Sequence, residues 1–455
     1  MIQEPGRSST LRLEIGDLSF PEGWGVAKES GFVFFVPGAI PGDLVTARLV
    51  RRTSRYGYAE VTGFERESPF RVTPGCPHFG TCGGCVSQNL RYGKQLELKE
   101  GYLRQTLRRI GDVDLERVEI EPIVPSVAEC YYRSKIELFF EYRGSELALG
   151  FMQRVSPLEP YKPRVIPIES CVIFSRAVAR LIPLVHAYAA SSRNAGRVSK
   201  GGARKQGKLM SLTVRESKWD GRLMVCLEAA GGWTDGLPPF IDALTSAVPE
   251  MASLHILSGN KDQCLYGTPY IEEKLDRFVF RVFPETFFQP NSETALLLYR
   301  LIVESLGATG RERVLGLYCG AGPIEIFLSP FVKEVVGIDS SRRNIDTAEE
   351  NCRINDVRNC RFYCARAEDI LPGLISSPFD FVVVDPPRAG LAERALRLLL
   401  ETHASRIIYV SCNPSTLARD LKRLREGGYV PTRIRPFDFF PHAAHLETFV
   451  LLERL

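Results

Sequence analysis

No run in this sequence approaches the roughly 18 apolar residues of a membrane helix. The opening residues, Met1-Ile2-Gln3-Glu4-Pro5-Gly6-Arg7-Ser8, hold no long apolar core of a secretory leader. Both absences point to a cytosolic protein with no membrane partner. There is no internal repeat and no low-complexity tract, which sets aside repeat arrays and disordered tails. Charge of one sign is lacking too: the net charge of +4 is too mild to establish nucleic-acid binding. Its distribution says more, with basic clusters at Arg51-Arg52, Arg104 to Arg109 and Arg197 to Lys208. The G-x-x-x-x-G-K loop that cradles phosphates is missing, so a bound nucleoside need not carry a phosphate.

What is present is a chain of 455 residues, more than one hydrophobic core supports, so two or three domains are expected. Its twelve cysteines are diluted over that length, which favours metal or catalytic use over a disulfide scaffold. From Leu11 to Glu67, short alternating apolar segments are broken by glycine and proline, the pattern of a small β-barrel. Arg51, Arg52, Arg55, Tyr56 and Tyr58 interleave charge with aromatic faces, as a single-stranded nucleic acid requires and as a solvated hairpin also allows.

Next comes Cys76-Pro77-His78-Phe79-Gly80-Thr81-Cys82-Gly83-Gly84-Cys85, three thiols on a glycine-rich loop that can fold round a centre. A fourth ligand has to come from elsewhere, and Cys171 or His78 can supply it. Zinc and an iron–sulfur cluster both suit thiolate tetrahedra, and spacing does not separate them. A helical period spans Gln88 to Ile110, strands follow at Tyr131 to Phe140 and Leu209 to Val214, and residues 172–190 read as helix. Further strands at 222–229, 253–258 and 277–283 make the middle of the chain an α+β domain.

From Pro284 strand and helix alternate, which predicts a parallel sheet covered by helices. Asn291 or Ser292 caps the first helix. Val314-Leu315-Gly316-Leu317-Tyr318-Cys319-Gly320-Ala321-Gly322 is a strand running into a glycine turn, and Val335-Val336-Gly337-Ile338-Asp339 ends in a carboxylate placed for ribose hydroxyls. Glu325 stands where the third glycine of a dinucleotide fingerprint would be, so S-adenosylmethionine fits better than NAD. Val384-Asp385-Pro386-Pro387-Arg388 puts a stiff loop over that site. Tyr409-Val410-Ser411-Cys412-Asn413-Pro414 then presents a thiol where a strand opens into a turn, because proline cannot continue the ladder. A cysteine so placed is either a reagent or, as free cysteines commonly are, simply buried.

These motifs, in this order, resemble the RNA 5-methyluridine (uracil-C5) methyltransferases, most nearly the iron–sulfur 23S rRNA branch that carries a TRAM domain. Gly23-Trp24-Gly25-Val26-Ala27 with Phe35-Val36-Pro37-Gly38 resembles that TRAM domain, an RNA-binding barrel of the oligonucleotide-binding (OB) type. The resemblance implies an OB-like barrel over 8–67, a central α+β domain with an iron–sulfur loop over 68–283, and a Rossmann-like class I methyltransferase domain over 284–455. It places a 4Fe–4S cluster on Cys76, Cys82, Cys85 and Cys171, with zinc as the lesser alternative. Cofactor contacts fall on Gln289, Tyr318, Asp339 and Asp385, the nucleophile on Cys412 and the general base on Glu447. The implied partner is rRNA, with tRNA as the alternative, and the implied state a monomer.

Uracil C5 is a poor nucleophile, so a thiolate must add at C6 before C5 can attack a sulfonium methyl, and a base must then take the C5 proton. A base inside folded RNA must also leave its stack to meet such a thiol. The chain departs from the family pattern at Gly316 (commonly Asp), Tyr318 (Phe), Pro323 (Asn) and Arg366, which sits where a polar adenine contact is expected. Those departures are what a non-catalytic RNA-binding protein on a decayed methyltransferase fold would show.

Overall fold

The computed structural model describes residues 10–144, 146–158, 162–191, 208–230, 237–259 and 261–455; the basic stretch 197–207 singled out above lies outside the described residues. Strands Thr10–Leu18, Gly25–Glu29, Phe32–Val36, Leu44–Arg52 and Tyr56–Arg66 close into a barrel. Alternation turns Leu13, Ile15, Val45 and Ala47 inward and leaves Arg12, Glu14 and Arg48 outside. On the outer face Trp24, Phe35, Tyr56 and Tyr58 form one aromatic group, and Arg51 lies 5.9 Å from the Tyr58 ring. The interleaved charge and aromatics of the sequence thus share one exposed surface.

The central sheet has seven strands in the order Lys261–Gly267, Met251–Ser258, Leu223–Ala230, Lys208–Glu216, Lys135–Arg143, Glu146–Met152, Val165–Pro167. Helices Val178–Ala190 and Leu237–Ala247 pack against its apolar face. The helix expected over 172–190 begins six residues later, because 172–177 turn tightly, with the Phe174 amide donating to Cys171 O and the Val178 amide to Ser175 O. The hairpin Ile271–Leu275 with Phe278–Val282, half of it unforeseen, packs in the core of the last domain, which the other face of this sheet joins through Met224 and Cys226.

The last sheet has the order Cys360–Cys364, Glu334–Asp339, Arg313–Leu317, Phe381–Val384, Arg406–Ser411, Glu447–Arg454, Tyr429–Phe437, Glu119–Ile120. The first five are parallel, and Glu447–Arg454 runs antiparallel to Arg406–Ser411. Packing crosses the boundary expected at 284. Glu119–Ile120 pairs with Arg433 and Ile434, and the helix Tyr92–Arg109 buries Leu103 and Leu107 in the same core as Leu417 and Leu421. The reason is periodicity: that helix carries an apolar stripe that the helix Pro414–Glu426 covers. Asn291 caps the helix Ser292–Leu306, its side chain accepting the Thr294 amide at 3.2 Å.

Candidate active site

Parallel strands end at one edge of a sheet, and an antiparallel neighbour begins there. That rule alone brings Tyr318, Asp339, Asp385 and Cys412 to the edge by their strands' carboxyl ends, and Glu447 by its strand's amino end. Ser411 pairs with Thr448, so Cys412 and Glu447, one residue farther along each strand, stand opposite each other. Val383, Val410 and Phe449 share one core, and Asp385, Cys412 and Glu447 are each two residues from one of them, on the same face.

Cys412 is half-buried and opens the turn into the helix Pro414–Glu426, whose cap is Asn413. The Asn413 side-chain amide donates to Arg388 O at 3.0 Å and the Thr416 hydroxyl to the same oxygen at 3.2 Å, tying the Asp-Pro-Pro loop to the thiol loop. Burial, then the carboxylates of Glu447 and Asp385, push the Cys412 thiol up to about 12, and the Arg388 guanidinium works against them. Glu447 is 2% exposed, and burial followed by Asp385 raises it well above the carboxylate range. Asp385 rises to about 7 through burial, opposed by the hydrogen bond from Gln289 Nε2 at 3.2 Å. Asp385, at about 7, can pass a proton near neutrality, and a cation entering the cleft would draw all three groups toward ionisation.

The residues expected to hold an adenosyl cofactor surround the same edge. Asp339 Oδ2 accepts the Gly320 amide at 3.0 Å, and its Oδ1 accepts the Ser341 amide at 2.8 Å. Positive φ at Tyr318 (63°), Gly320 (54°) and Gly322 (79°) bends the turn so that bare backbone faces the cleft. Gln289 is held from the central sheet, where Ser134 donates its amide to Pro290 O at 2.6 Å and its hydroxyl to Gln289 O at 3.3 Å. Arg366 is turned aside, donating to Glu368 Oε1 at 2.9 Å. Pro323 starts the helix Pro323–Leu328. Beneath the turn, Glu325 Oε2 is buried with no hydrogen-bond partner. A glycine turn, a strand-end carboxylate and an unpartnered buried carboxyl fit a nucleoside that carries positive charge.

Sequence reasoning missed what holds Glu447. The preceding loop is pinned by Lys99, which donates to Asp438 Oδ1 at 2.7 Å and Phe440 O at 2.9 Å. Tyr132 donates its hydroxyl to Pro441 O at 3.1 Å, and the amides of Val86 and Ser87 donate to His442 O at 2.8 and 3.1 Å. The sequence places Arg388 at the end of the Asp-Pro-Pro loop but does not show that its guanidinium acts on the thiol. The one signal that could have flagged Lys99 is a lysine on the helix's apolar stripe.

Cys76, Cys82, Cys85 and Cys171 line one small cavity of about 30 Å³, walled by Phe79, Phe151, Ile168 and Ile173. His78 borders it too, but its Nε2 accepts the Glu169 amide at 3.1 Å, which leaves Cys171 as the better fourth donor. Among the described residues, no group of three or more His, Cys, Asp or Glu is arranged to hold a metal ion as it stands. The donor chemistry, four thiols in apolar surroundings, fits a thiolate-bound centre.

A twisted parallel sheet with a glycine turn, a ribose-type carboxylate and an Asp-Pro-Pro loop at its carboxyl edge defines an S-adenosylmethionine-dependent methyltransferase fold. The comparisons name the family. Residues 250–455 match the tRNA (uracil-5-)-methyltransferase family. The chain is 35% identical, over 99% of its length and 98% of the relative's, to an uncharacterized RNA methyltransferase of Gloeobacter violaceus. It is 32% identical over 98% of its length, and 97% of the relative's, to another from Halalkalibacterium halodurans. In structure it is similar, at a TM-score of 0.71 and 27% identity, to the Pyrococcus abyssi tRNA (uracil-54, C5)-methyltransferase in complex with S-adenosyl-L-homocysteine, covering 97% of this chain and all of that one. The chain belongs to the RNA uracil-5-methyltransferase family and is an RNA methyltransferase.

Proposed function

We propose that this enzyme methylates C5 of a uracil in structured RNA, with Cys412 as nucleophile and Glu447 as general base. The observation that carries the reading is the placement of Cys412 opposite Glu447, with Asp385 beside them, at the carboxyl edge of the sheet. S-adenosylmethionine, when bound, supplies an electrophilic methyl group. Cys412 adds to C6 and makes C5 nucleophilic; after methyl transfer Glu447 takes the C5 proton, and the Cys412 sulfur leaves by elimination. Arg388 keeps positive charge near the thiolate. Asp339 would face the ribose hydroxyls, Tyr318 the adenosyl group, and Gln289 and Asp385 the reacting end. This is active machinery rather than a decayed fold, because the three groups the chemistry needs are present and adjacent.

The aromatic and basic face of the barrel supports RNA binding in the manner of a TRAM domain. The four-thiol cavity supports a 4Fe–4S cluster on Cys76, Cys82, Cys85 and Cys171, where it would brace the loop that bonds His442 O. Barrel and thiol cavity together favour 23S rRNA as the substrate. The likeness to a tRNA (uracil-54, C5)-methyltransferase makes tRNA the second substrate to test.

The test is methyl transfer from labelled S-adenosylmethionine to rRNA and tRNA carrying tritium at uracil C5. Wild type should release tritium in step with methylation, Cys412→Ala should do neither, and Glu447→Gln should accumulate a protein–RNA adduct that survives denaturation. Methylation without tritium release would overturn the mechanism.

A further inference from the structure

Glu325 is a carboxyl that the chemistry above leaves unused. It is the third residue of the helix Pro323–Leu328, only 2% exposed, and its Oε2 has no hydrogen-bond partner. Its other oxygen lies against Gly316 in the middle of the strand Arg313–Leu317: a Cβ on Gly316 would come within 2.1 Å of Glu325 Oε1. The two residues are therefore complementary. The strand leaves a side-chain position bare, and the helix fills it with a carboxyl.

Register locates that carboxyl. Gly316 pairs with Gly337 on one side and Val383 on the other, residues that stand two short of Asp339 and Asp385. Glu325 thus sits between the two strand-end carboxylates, below the turn that starts at Tyr318, on the face that carries Cys412 and Glu447. Among the described residues, no cation pairs with it. Burial, with Asp385 and Asp339 nearby, pushes it up to about 8. A carboxyl so enclosed is costly to ionise unless a ligand brings the missing donor and charge.

The order of strands says which part of the cofactor lies there. Ribose belongs at Asp339, on one side of the Gly316 strand, and the methyl must point toward Cys412, on the other side beyond Asp385. The amino-acid arm, attached to the same sulfur, is left over the strand between. We propose that Glu325 Oε2 receives the α-ammonium of S-adenosylmethionine, a carboxylate delivered by the helix to the place the strand leaves empty at Gly316. This assignment rests on the cofactor reading above and names the residue that anchors the cofactor's amino-acid end.

The test is calorimetric titration of the full-length protein with S-adenosylhomocysteine and with 5′-methylthioadenosine, which keeps the adenosyl group and sulfur but lacks the amino-acid arm. Glu325→Gln should weaken S-adenosylhomocysteine by about tenfold or more and change 5′-methylthioadenosine by less than about twofold. Gly316→Asp combined with Glu325→Ala, which returns a carboxylate from the strand, should bind S-adenosylhomocysteine more tightly than Glu325→Ala alone. Equal losses for both ligands, or no loss in Glu325→Gln, would overturn the assignment while wild-type binding keeps the cofactor reading intact. Failure of the wild type to bind either ligand would overturn both.

Discussion

Lys99 and Asp438 meet at 2.7 Å in an ion pair whose side chains are 2% and 0% exposed. The pair joins the helix Tyr92–Arg109 to the loop that leads into Glu447, so a residue far from the last domain in sequence fixes the entry to that strand. Breaking one half strands a buried charge. Lys99→Ala is expected to cost about 3–5 kcal/mol in urea denaturation and to lower kcat. Lys99→Met with Asp438→Leu should recover much of the stability, because it removes both charges, yet lose the loop's anchor at Phe440 O and hence activity.

The thiol of Cys412 is held high by burial and by Glu447 and Asp385, with Arg388 in opposition. The thiolate fraction therefore rises with pH across the neutral and alkaline range, and kcat/KM should rise with it. Arg388→Met removes the opposing charge, so its rate at neutral pH should fall by about tenfold, with the rising limb displaced to higher pH. Arg388→Lys should restore most of the difference. Rates measured over a pH series with cofactor saturating and RNA well below its KM in all three proteins test this.

Asp385 and Glu325 hold protons in the folded protein up to about 7 and about 8, whereas in the unfolded chain they release them near the ordinary carboxylate value of about 4. Over that interval the folded state binds more protons, so their contribution to stability is present at low pH and is lost as pH rises through 7 and 8. The Tm of the cofactor-free protein should decline more steeply over that interval than the Tm of Glu325→Gln or Asp385→Asn. Thermal denaturation of the three proteins over that range decides it.

His78 Nε2 is occupied by the Glu169 amide, while Cys171 faces the other three cysteines across the cavity. Cys171→Ser should therefore lose bound iron and sulfide and the visible absorbance of a cluster after anaerobic reconstitution, and His78→Ala should keep them. Removal of the proposed cluster by chelation should also loosen the loop bonded to His442 O, read as faster amide exchange at Val86 and Ser87.

The barrel, the alternating parallel sheet and the strand ends at Asp339, Asp385 and Cys412 were legible because each follows from a short local pattern, whereas Glu447 came only with the family resemblance. Alternation marks the inward residues of a strand, glycine turns and Asp-Pro-Pro mark where strands stop, and proline after Cys412 marks where the thiol emerges. The pairing of Ser411 with Thr448 was not legible, since antiparallel register depends on the return path of the chain. Neither was the contribution of the Tyr92–Arg109 helix to the last domain, whose apolar stripe shows that it packs but not on what.

By itself the sequence determined which chemical groups the protein owns and at which strand ends they sit, because backbone sterics and side-chain periodicity act over a few residues. Only the tertiary structure decided which of those groups become neighbours. Burial of Lys99 against Asp438, the four thiols around one cavity and the fit of Glu325 into the space at Gly316 are all contacts between separate segments, set by how apolar faces close on one another.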